Sequence, residues 1–360
     1  MIEPALLDRA VARGILTEAQ ASDLVRLDRE EARDDRPHDD EQLRLVTGFA
    51  DIFVTIGLVL FLGTLAYIVD DLAGATPGSI LVAVAAWGLA EFFTRRRRMA
   101  LPSIVLLLVF ALASFAALTS VLTGRSGLGG WAPLIGALSQ NLDRPLPVAG
   151  AALGTLGLVA LHYRRFRVPI TIAAGTAALA ATLVALAFAA APELAAANVN
   201  GLLMLAGLAI FAFAMRYDLS DPHRTTRATD TAFWLHLLAA PLIVHPVLSA
   251  LALGTHGGIG SGAALLVLAV VVVLTLVALI TDRRAILVAA LSYTAIAFGS
   301  LIRDAGLANR SLPLSLLTLG ALVLLLSAGW HPLRALLLRA LPRGLAARLP
   351  HPLADPPGAR

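Results

Sequence analysis

The stretch AALLVLAVVVVLTLVALI, residues 263–280, decides the fold, because its 18 residues contain no charged side chain. Its six Leu, six Val and one Ile each contribute about −0.3 to −0.6 kcal/mol to insertion into a bilayer, or about −4 to −8 kcal/mol together. At about 1.5 Å per residue, such a helix crosses most of a hydrocarbon layer of about 30 Å. The stretch therefore predicts a transmembrane helix.

Similar apolar runs lie on both sides of this stretch and make up most of the chain. Of the 360 residues, 58% are hydrophobic and 14% are charged, which is more apolar surface than one soluble core can bury. The runs are continuous, whereas a membrane β-barrel shows segments of alternating polarity. The sequence therefore predicts an all-α polytopic transmembrane bundle of about ten helices. The ten predicted spans are Ala50–Val69, Pro77–Phe93, Leu101–Leu122, Leu146–Tyr163, Val168–Ala190, Val199–Met215, Thr231–Leu251, Ala263–Ile280, Ala285–Ile302 and Leu312–Trp330.

The arginines predict how the bundle is oriented. All 28 basic residues are Arg, and with ten spans 24 of them fall in segments on one side of the membrane and 4 on the other. Positively charged segments stay in the cytoplasm. We therefore expect a bacterial cytoplasmic (inner) membrane protein with both termini in the cytoplasm. The net charge of +4 then reflects membrane anchoring, and no basic groove with interleaved aromatic residues indicates nucleic-acid binding.

Residues 1–46 form a polar segment that predicts a small cytosolic helical hairpin followed by a charged linker. Gly14 is expected to end a first helix, and Thr17 with Gln20 forms a capping-box pattern that starts a second helix. Residues 33–42 lack apolar anchors and predict a solvated linker. The chain thus divides into residues 1–46, the transmembrane bundle at 47–330 and a tail at 331–360.

Two further segments favour membrane-associated structure. The tail is rich in Arg, Leu and Pro, and its first part predicts an interfacial anchor in which Arg334 and Arg339 meet anionic head groups. An ordinary positively charged tail is the alternative. The Gly-rich stretch at 127–141 is either a loop or a re-entrant helix. The glycine run at 254–262 lacks the Gly-Lys-Ser/Thr ending of a phosphate loop and predicts a flexible loop.

Four residues inside the predicted spans are the candidate binding residues: His236, His245, Tyr293 and Thr294. The two histidines are nine residues apart, about 900° of helical rotation, so they point from opposite faces of one helix. They cannot hold one metal ion unless the helix kinks at Pro241. A proton relay or a ligand contact is one interpretation, and polar contacts within a helix or between helices are the other.

The other polar groups and the small residues are expected to be structural. Asp51 lies in the first turn of the first span, where a helix dipole favours negative charge, and Glu91 is placed for an i, i+4 ion pair with Arg95. The polar residues of the outer loops predict loop caps rather than a cation site. Two small-residue pairs predict close helix packing; they are Gly150 with Gly154 and Ala295 with Gly299.

Enzyme chemistry finds no support in the sequence. The chain has no Cys, which excludes a thiol nucleophile and thiolate metal sites, and hydrolase or metalloprotease motifs are missing. No catalytic residue, metal site or cofactor is expected.

The segment Arg13–Ala21 and the ending Trp330-His-Pro-Leu-Arg334, closed by Leu341-Pro342, resemble a family of predicted bacterial multi-pass membrane proteins of unknown function. The resemblance implies a short amino-terminal cytosolic helical domain before the spans, but no reaction or site residues. The favoured function is a non-enzymatic membrane component whose residues 1–46 recruit a protein partner or a second copy. The alternative is a transporter or permease-like protein for a small or lipophilic substrate.

Overall fold

Every regular element that the structure describes is helical, and the all-α prediction is confirmed for these residues. The computed structural model describes residues 7, 9, 11–25, 49–125, 143–221, 226–252 and 261–340. The predictions for residues 33–42, 127–141 and 254–260 and for the end of the tail at 341–360 lie outside these residues.

The main elements are long helices, several of which are joined by turns of a few residues. They are α1 (Phe49–Ala73), α2 (Ala75–Ala90), a π-helical turn (Glu91–Arg96), α3 (Ala100–Thr123), α4 (Pro145–Phe166), α5 (Ile170–Ala190), α6 (Pro192–Ala197), α7 (Val199–Ser220), α8 (Arg227–Ala252), α9 (Ser261–Thr281), α10 (Ala285–Asp304), a short 3-10 turn (Ala308–Arg310) and α11 (Ser311–Ala340).

Nine helices within the described residues are long and apolar enough to cross a membrane, as a multi-pass membrane protein requires. They correspond to nine of the ten predicted spans. The remaining predicted span, Ala285–Ile302, lies within α10, a 20-residue helix that is not among the nine. The membrane-protein prediction is therefore supported, and the exact number of spans stays a prediction.

Four helical hairpins organise the bundle: α2 with α3, α4 with α5, α7 with α8, and α9 with α10. Because successive helices run in opposite directions, their four turns lie at one end of the bundle, which we call the Arg-rich end. Three of these turns contain a residue in the left-handed conformation with φ 54°, namely Arg98, Arg167 and Asp282. A left-handed residue ends a helix within one residue, so these connections are short enough to bring adjacent turns into contact.

Small residues allow neighbouring helices to approach closely, as predicted for Gly150 and Gly154. A Cβ atom would lie 3.4 Å from the Leu122 side chain at Gly150 and 2.9 Å from the Leu118 side chain at Gly154, so both positions face α3. A third close approach was not predicted. At Gly207 in α7, a Cβ atom would lie 2.8 Å from a side-chain atom of α8 and 3.0 Å from its backbone.

The predicted capping box is present in the amino-terminal unit, residues 1–44, which is separate from residues 45–360. The Thr17 N–H donates to Gln20 Oε1 at 3.0 Å, and the Gln20 N–H donates to Thr17 Oγ1 at 3.2 Å. Gly14 adopts φ 68°, and helix begins again at residue 18. The complete hairpin is not confirmed, because parts of both of its predicted helices lie outside the described residues.

The last helix corrects one expectation. α11 continues through Pro332 to Ala340, so the predicted junction at 330–331 lies inside a helix. Arg334, which was expected to meet lipid head groups, is instead buried, with its Nε 3.6 Å from Asp282 Oδ1. The reason is an acidic partner in the turn between α9 and α10, which the helical pattern alone did not reveal.

Candidate functional site: a buried cluster at the Arg-rich end

Asp218, His236 and Arg283 form a buried polar cluster, which we call the Asp218 cluster. The Nε2 atom of His236 lies 2.8 Å from Asp218 Oδ2, and Arg283 Nε donates to the same oxygen at 3.2 Å. A second guanidinium nitrogen of Arg283 donates to Asp218 Oδ1. The three residues are 2%, 0% and 1% exposed, so water does not screen their interactions.

The positions of the three residues follow from the hairpins. Asp218 lies in the last turn of α7 and His236 in the third turn of α8, and the close approach at Gly207 holds these two helices together. The rings of Phe211 and His236 pack in an edge-to-face arrangement, with 5.1 Å between their centroids. Arg283 comes from the turn between α9 and α10, so the Asp218 cluster joins two hairpins.

The carboxylate makes the cluster electrostatically possible. A buried guanidinium without a counter-ion would cost several kcal/mol, of order 3–5 kcal/mol when a partner is removed from a buried pair. Asp218 offers two oxygen atoms to Arg283, the geometry in which a guanidinium binds most strongly. An ionised carboxylate only accepts hydrogen bonds, so the Nε2–H of His236 is the donor of the third contact.

A second cluster contacts the other side of the turn between α9 and α10, residues 282–284. The Trp330 Nε1–H donates to Asp282 Oδ1 at 2.8 Å, Arg334 approaches this oxygen, and the Arg284 guanidinium lies 5.1 Å from the Trp330 ring centroid. Asp282 is 8% exposed and Trp330 2%. The turn at 282–284 is therefore fixed to α7 by Arg283 and to α11 by its two neighbours.

The structure does not bring the four predicted candidates into one site. His236 belongs to the Asp218 cluster, whereas His245 Nδ1 contacts the Tyr293 hydroxyl on α10. The two histidines thus contact different neighbours, as expected from opposite faces of α8. Thr294 is buried and donates to the Ala290 carbonyl at 2.8 Å, which is the structural alternative foreseen for it.

Sequence reasoning missed Asp218 and Arg283. Asp218 lies beyond the predicted end of its span at residue 215, and Arg283 was counted only as a topology marker. The predicted hairpin of α7 with α8 could have indicated Asp218, since folding these two helices together places residue 218 opposite His236. His245 is exposed and Tyr293 is half-buried, so this pair is not buried among apolar side chains inside the bundle.

The other half of the bundle has an exposed ion pair at its Arg-rich end. Glu91 accepts from Arg165 Nε at 2.6 Å and from Arg165 Nη2 at 2.9 Å. The predicted contact with Arg95 is present but longer, at 3.4 Å. Near this pair, His162 is buried against Trp87 and other aromatic rings.

Beside these rings, a cavity of about 440 Å³ lies between α2, α3 and α4. It is an apolar pocket with aromatic walls. Its lining includes Ile80, Trp87, Phe110, Ser114, Leu158 and Leu161.

At the opposite end, Asp143 and Arg125 form a two-bond pair with both distances 2.8 Å. The hydrogen bond from Arg125 holds the pKa of Asp143 below its usual value. Because this carboxylate already has a cationic partner, it is not free to serve a cation site. Within the described residues, no three acidic or histidine side chains are grouped to hold a metal ion.

The fold and these clusters define a multi-pass helical membrane protein with a buried ionisable centre at one end. Comparison of the chain with protein-family models, curated proteins and solved structures gives no match. The family resemblance seen in the sequence therefore stays an expectation, and function has to be argued from the site.

Proposed function

We propose that this protein is a permease-like membrane transporter for a small or lipophilic substrate, with the Asp218 cluster as a proton-sensitive latch. The observation that carries this proposal is the burial of Asp218, His236 and Arg283, each at most 2% exposed. Buried ionisable side chains are costly to keep, and in transporters such groups line proton and substrate pathways. Here they connect the two hairpins that must separate if the Arg-rich end is to open.

The latch works through the charge of Asp218. While its carboxylate is ionised, it compensates Arg283 and holds the turn at 282–284 against α7 and α8. A proton delivered to the carboxylate, directly or through His236, removes that compensation. Arg283 is then a buried cation without a counter-charge, which favours movement of the turn toward water and head groups.

The contact between His245 on α8 and Tyr293 on α10 supports a pathway leading away from the latch. All four candidate residues lie on these two helices: His236 and His245 on α8, and Tyr293 and Thr294 on α10. The contact between His245 and Tyr293 lies about 14 Å along α8 from His236, at about 1.5 Å per residue. A small or lipophilic molecule passing between α8 and α10 would meet the hydrogen-bonding side chains of His245 and Tyr293.

The chain is well suited to test this proposal because it contains no Cys. Thr281→Cys places one thiol beside the latch, where Thr281 is 6% exposed, and Ser315→Cys places one in the first turns of α11, at the opposite end, where Ser315 is 3% exposed. Labelling by a membrane-impermeant maleimide is measured in each variant with and without Asp218→Asn. A transporter opens one end while the other stays closed.

We therefore expect Asp218→Asn to accelerate labelling of Thr281→Cys at least about tenfold, the effect of about 1.4 kcal/mol, and to leave Ser315→Cys protected. Acceleration at both ends would show general loosening and refute the latch. Unchanged labelling at both ends would also refute it.

The orientation belongs to the same proposal: the Arg-rich end faces the cytoplasm of a bacterial inner membrane, with both termini on that side. Its support is the uneven distribution of arginine along the sequence. A reporter fusion at Arg164 that is active only in the cytoplasm tests it. Periplasmic activity of the fusion would overturn the orientation.

A second candidate function rests on the amino-terminal unit. Residues 1–44 form a unit of their own, and Ile15 beside its capping box is 69% exposed. We infer that this unit makes the protein a non-enzymatic scaffold that binds a partner or a second copy. Removing residues 1–46 is expected to leave membrane insertion intact and to abolish one specific co-purifying protein or the dimer. The same co-purifying proteins and the same number of copies per complex in both forms would contradict it.

A further inference from the structure

The Arg-rich end of the first two hairpins carries a strong local excess of positive charge. The turns at 91–99 and 164–169 contain seven arginines and a single acidic residue, Glu91. All seven arginine side chains are exposed. We call this group the Arg patch; its members are Arg95, Arg96, Arg97, Arg98, Arg164, Arg165 and Arg167.

The apolar pocket between α2, α3 and α4 is formed by helices that end at the Arg patch, and it lies next to the patch along their axes. Leu161 in its wall is four residues before Arg165, about 6 Å along α4, and Ile80 is 15 residues before Arg95, about 22 Å along α2. The pocket therefore covers the depth of one leaflet, since half of the hydrocarbon layer is about 15 Å. Its volume of about 440 Å³ is within the range of ligand sites.

We propose that the Arg patch and the pocket together form a binding site for one anionic phospholipid, with its headgroup on the arginines and an acyl chain in the pocket. The charge of the patch favours the headgroup, because basic groups between transmembrane helices attract anionic lipids. The chain lies against Trp87, Phe110 and Leu158, and its burial stabilises the complex through apolar contact. This site is separate from the Asp218 cluster and does not depend on transport.

The test uses the full chain in detergent, with native mass spectrometry to count bound dioleoylphosphatidylglycerol against dioleoylphosphatidylcholine. The charge variant is Arg96→Gln with Arg164→Gln, two exposed residues outside the ion pair with Glu91. Its matched control is Arg216→Gln with Arg227→Gln, which are also exposed but lie outside the patch. We expect the charge variant to lose at least about tenfold in affinity for phosphatidylglycerol and the control to retain it.

The pocket is tested by Val84→Phe, which narrows its mouth, against Val121→Phe on α3 outside the lining. The two valines are 63% and 60% exposed, so neither change disturbs the core. Only Val84→Phe should reduce phosphatidylglycerol binding, by several-fold.

Three results would overturn the proposal: equal binding of the two lipids by the wild-type chain, equal losses in a variant and its control, or displacement of the lipid by millimolar inorganic phosphate. The last result would show a headgroup site for free anions rather than a lipid site.

Discussion

Arg283→Met should destabilise the protein severely, because it leaves the buried carboxylate of Asp218 without its main counter-charge. Both side chains are 1% exposed, so solvent screens almost none of the interaction. Removing one member of such a pair costs about 3–5 kcal/mol. Asp218→Leu should cost a similar amount, since it leaves Arg283 uncompensated.

The double variant separates this explanation from simple loss of packing. When both charges are replaced by apolar side chains, neither is left buried and alone, and such replacements are often neutral or stabilising. We expect the combination of Asp218→Leu and Arg283→Met to be at least about 3 kcal/mol more stable than the sum of the single losses predicts.

The assay is equilibrium unfolding of the purified protein in mixed detergent micelles, followed by circular dichroism and Trp fluorescence. Arg165→Met is the control, because Arg165 pairs with Glu91 at the same end of the bundle but is 40% exposed at its side chain. Exposed pairs contribute little. If Arg283→Met lowers the free energy of unfolding no more than Arg165→Met does, the buried ion pair of Asp218 with Arg283 does not stabilise the protein in the way proposed.

Three further predictions concern other parts of the chain. Gly207→Ala should lower the free energy of unfolding by about 1–3 kcal/mol, because its Cβ would lie 2.8 Å from an α8 side chain. Gly63→Ala, whose Cβ would have no atom within 4 Å, should leave the free energy of unfolding unchanged. Thermal unfolding compares the two variants. Thr17→Ala should remove a helix cap of about 1 kcal/mol, seen as faster amide exchange in residues 18–25 of the full chain and not elsewhere. The ion pair of Asp143 with Arg125 should stabilise the protein above pH 3.8, the ordinary pKa of an aspartate, and this stabilisation should be lost as pH falls through the lowered pKa that Asp143 has in the folded protein. In a carboxyl NMR titration, Arg125→Gln should raise the pKa of Asp143 again. An unchanged pKa would refute the pairing.

The long helices could be predicted from the sequence because lipid imposes a strong and simple condition on it. A run such as 263–280 has to be helical in a membrane, since its backbone finds no water there. The capping box at Thr17 and Gln20 was predictable for a similar reason, because its two hydrogen bonds are local. The close packing at Gly154 needed only a small residue on the correct face.

The Asp218 cluster could not be found in the same way, because Asp218 and Arg283 are 65 residues apart in the chain. From hydropathy alone, Asp218 is only the polar end of a span, and Arg283 only indicates which side of the membrane its turn lies on. Only the register between α7 and α8 brings Asp218 opposite His236, and that register depends on contacts at Gly207. The pairing of Arg334 with Asp282 depended on tertiary packing in the same way.

The turn at 282–284 is the point where these contacts meet, and its backbone explains how three adjacent residues serve two clusters. Asp282 has φ 54°, a left-handed conformation that Asp adopts more readily than most non-Gly residues because its short polar side chain can hydrogen-bond locally. The sharp change of direction allows Asp282 to accept from Trp330 on α11 while Arg283 reaches Asp218 on α7. Replacing Asp282 by Gly would keep the turn but remove the bond to Trp330, so the two effects can be separated.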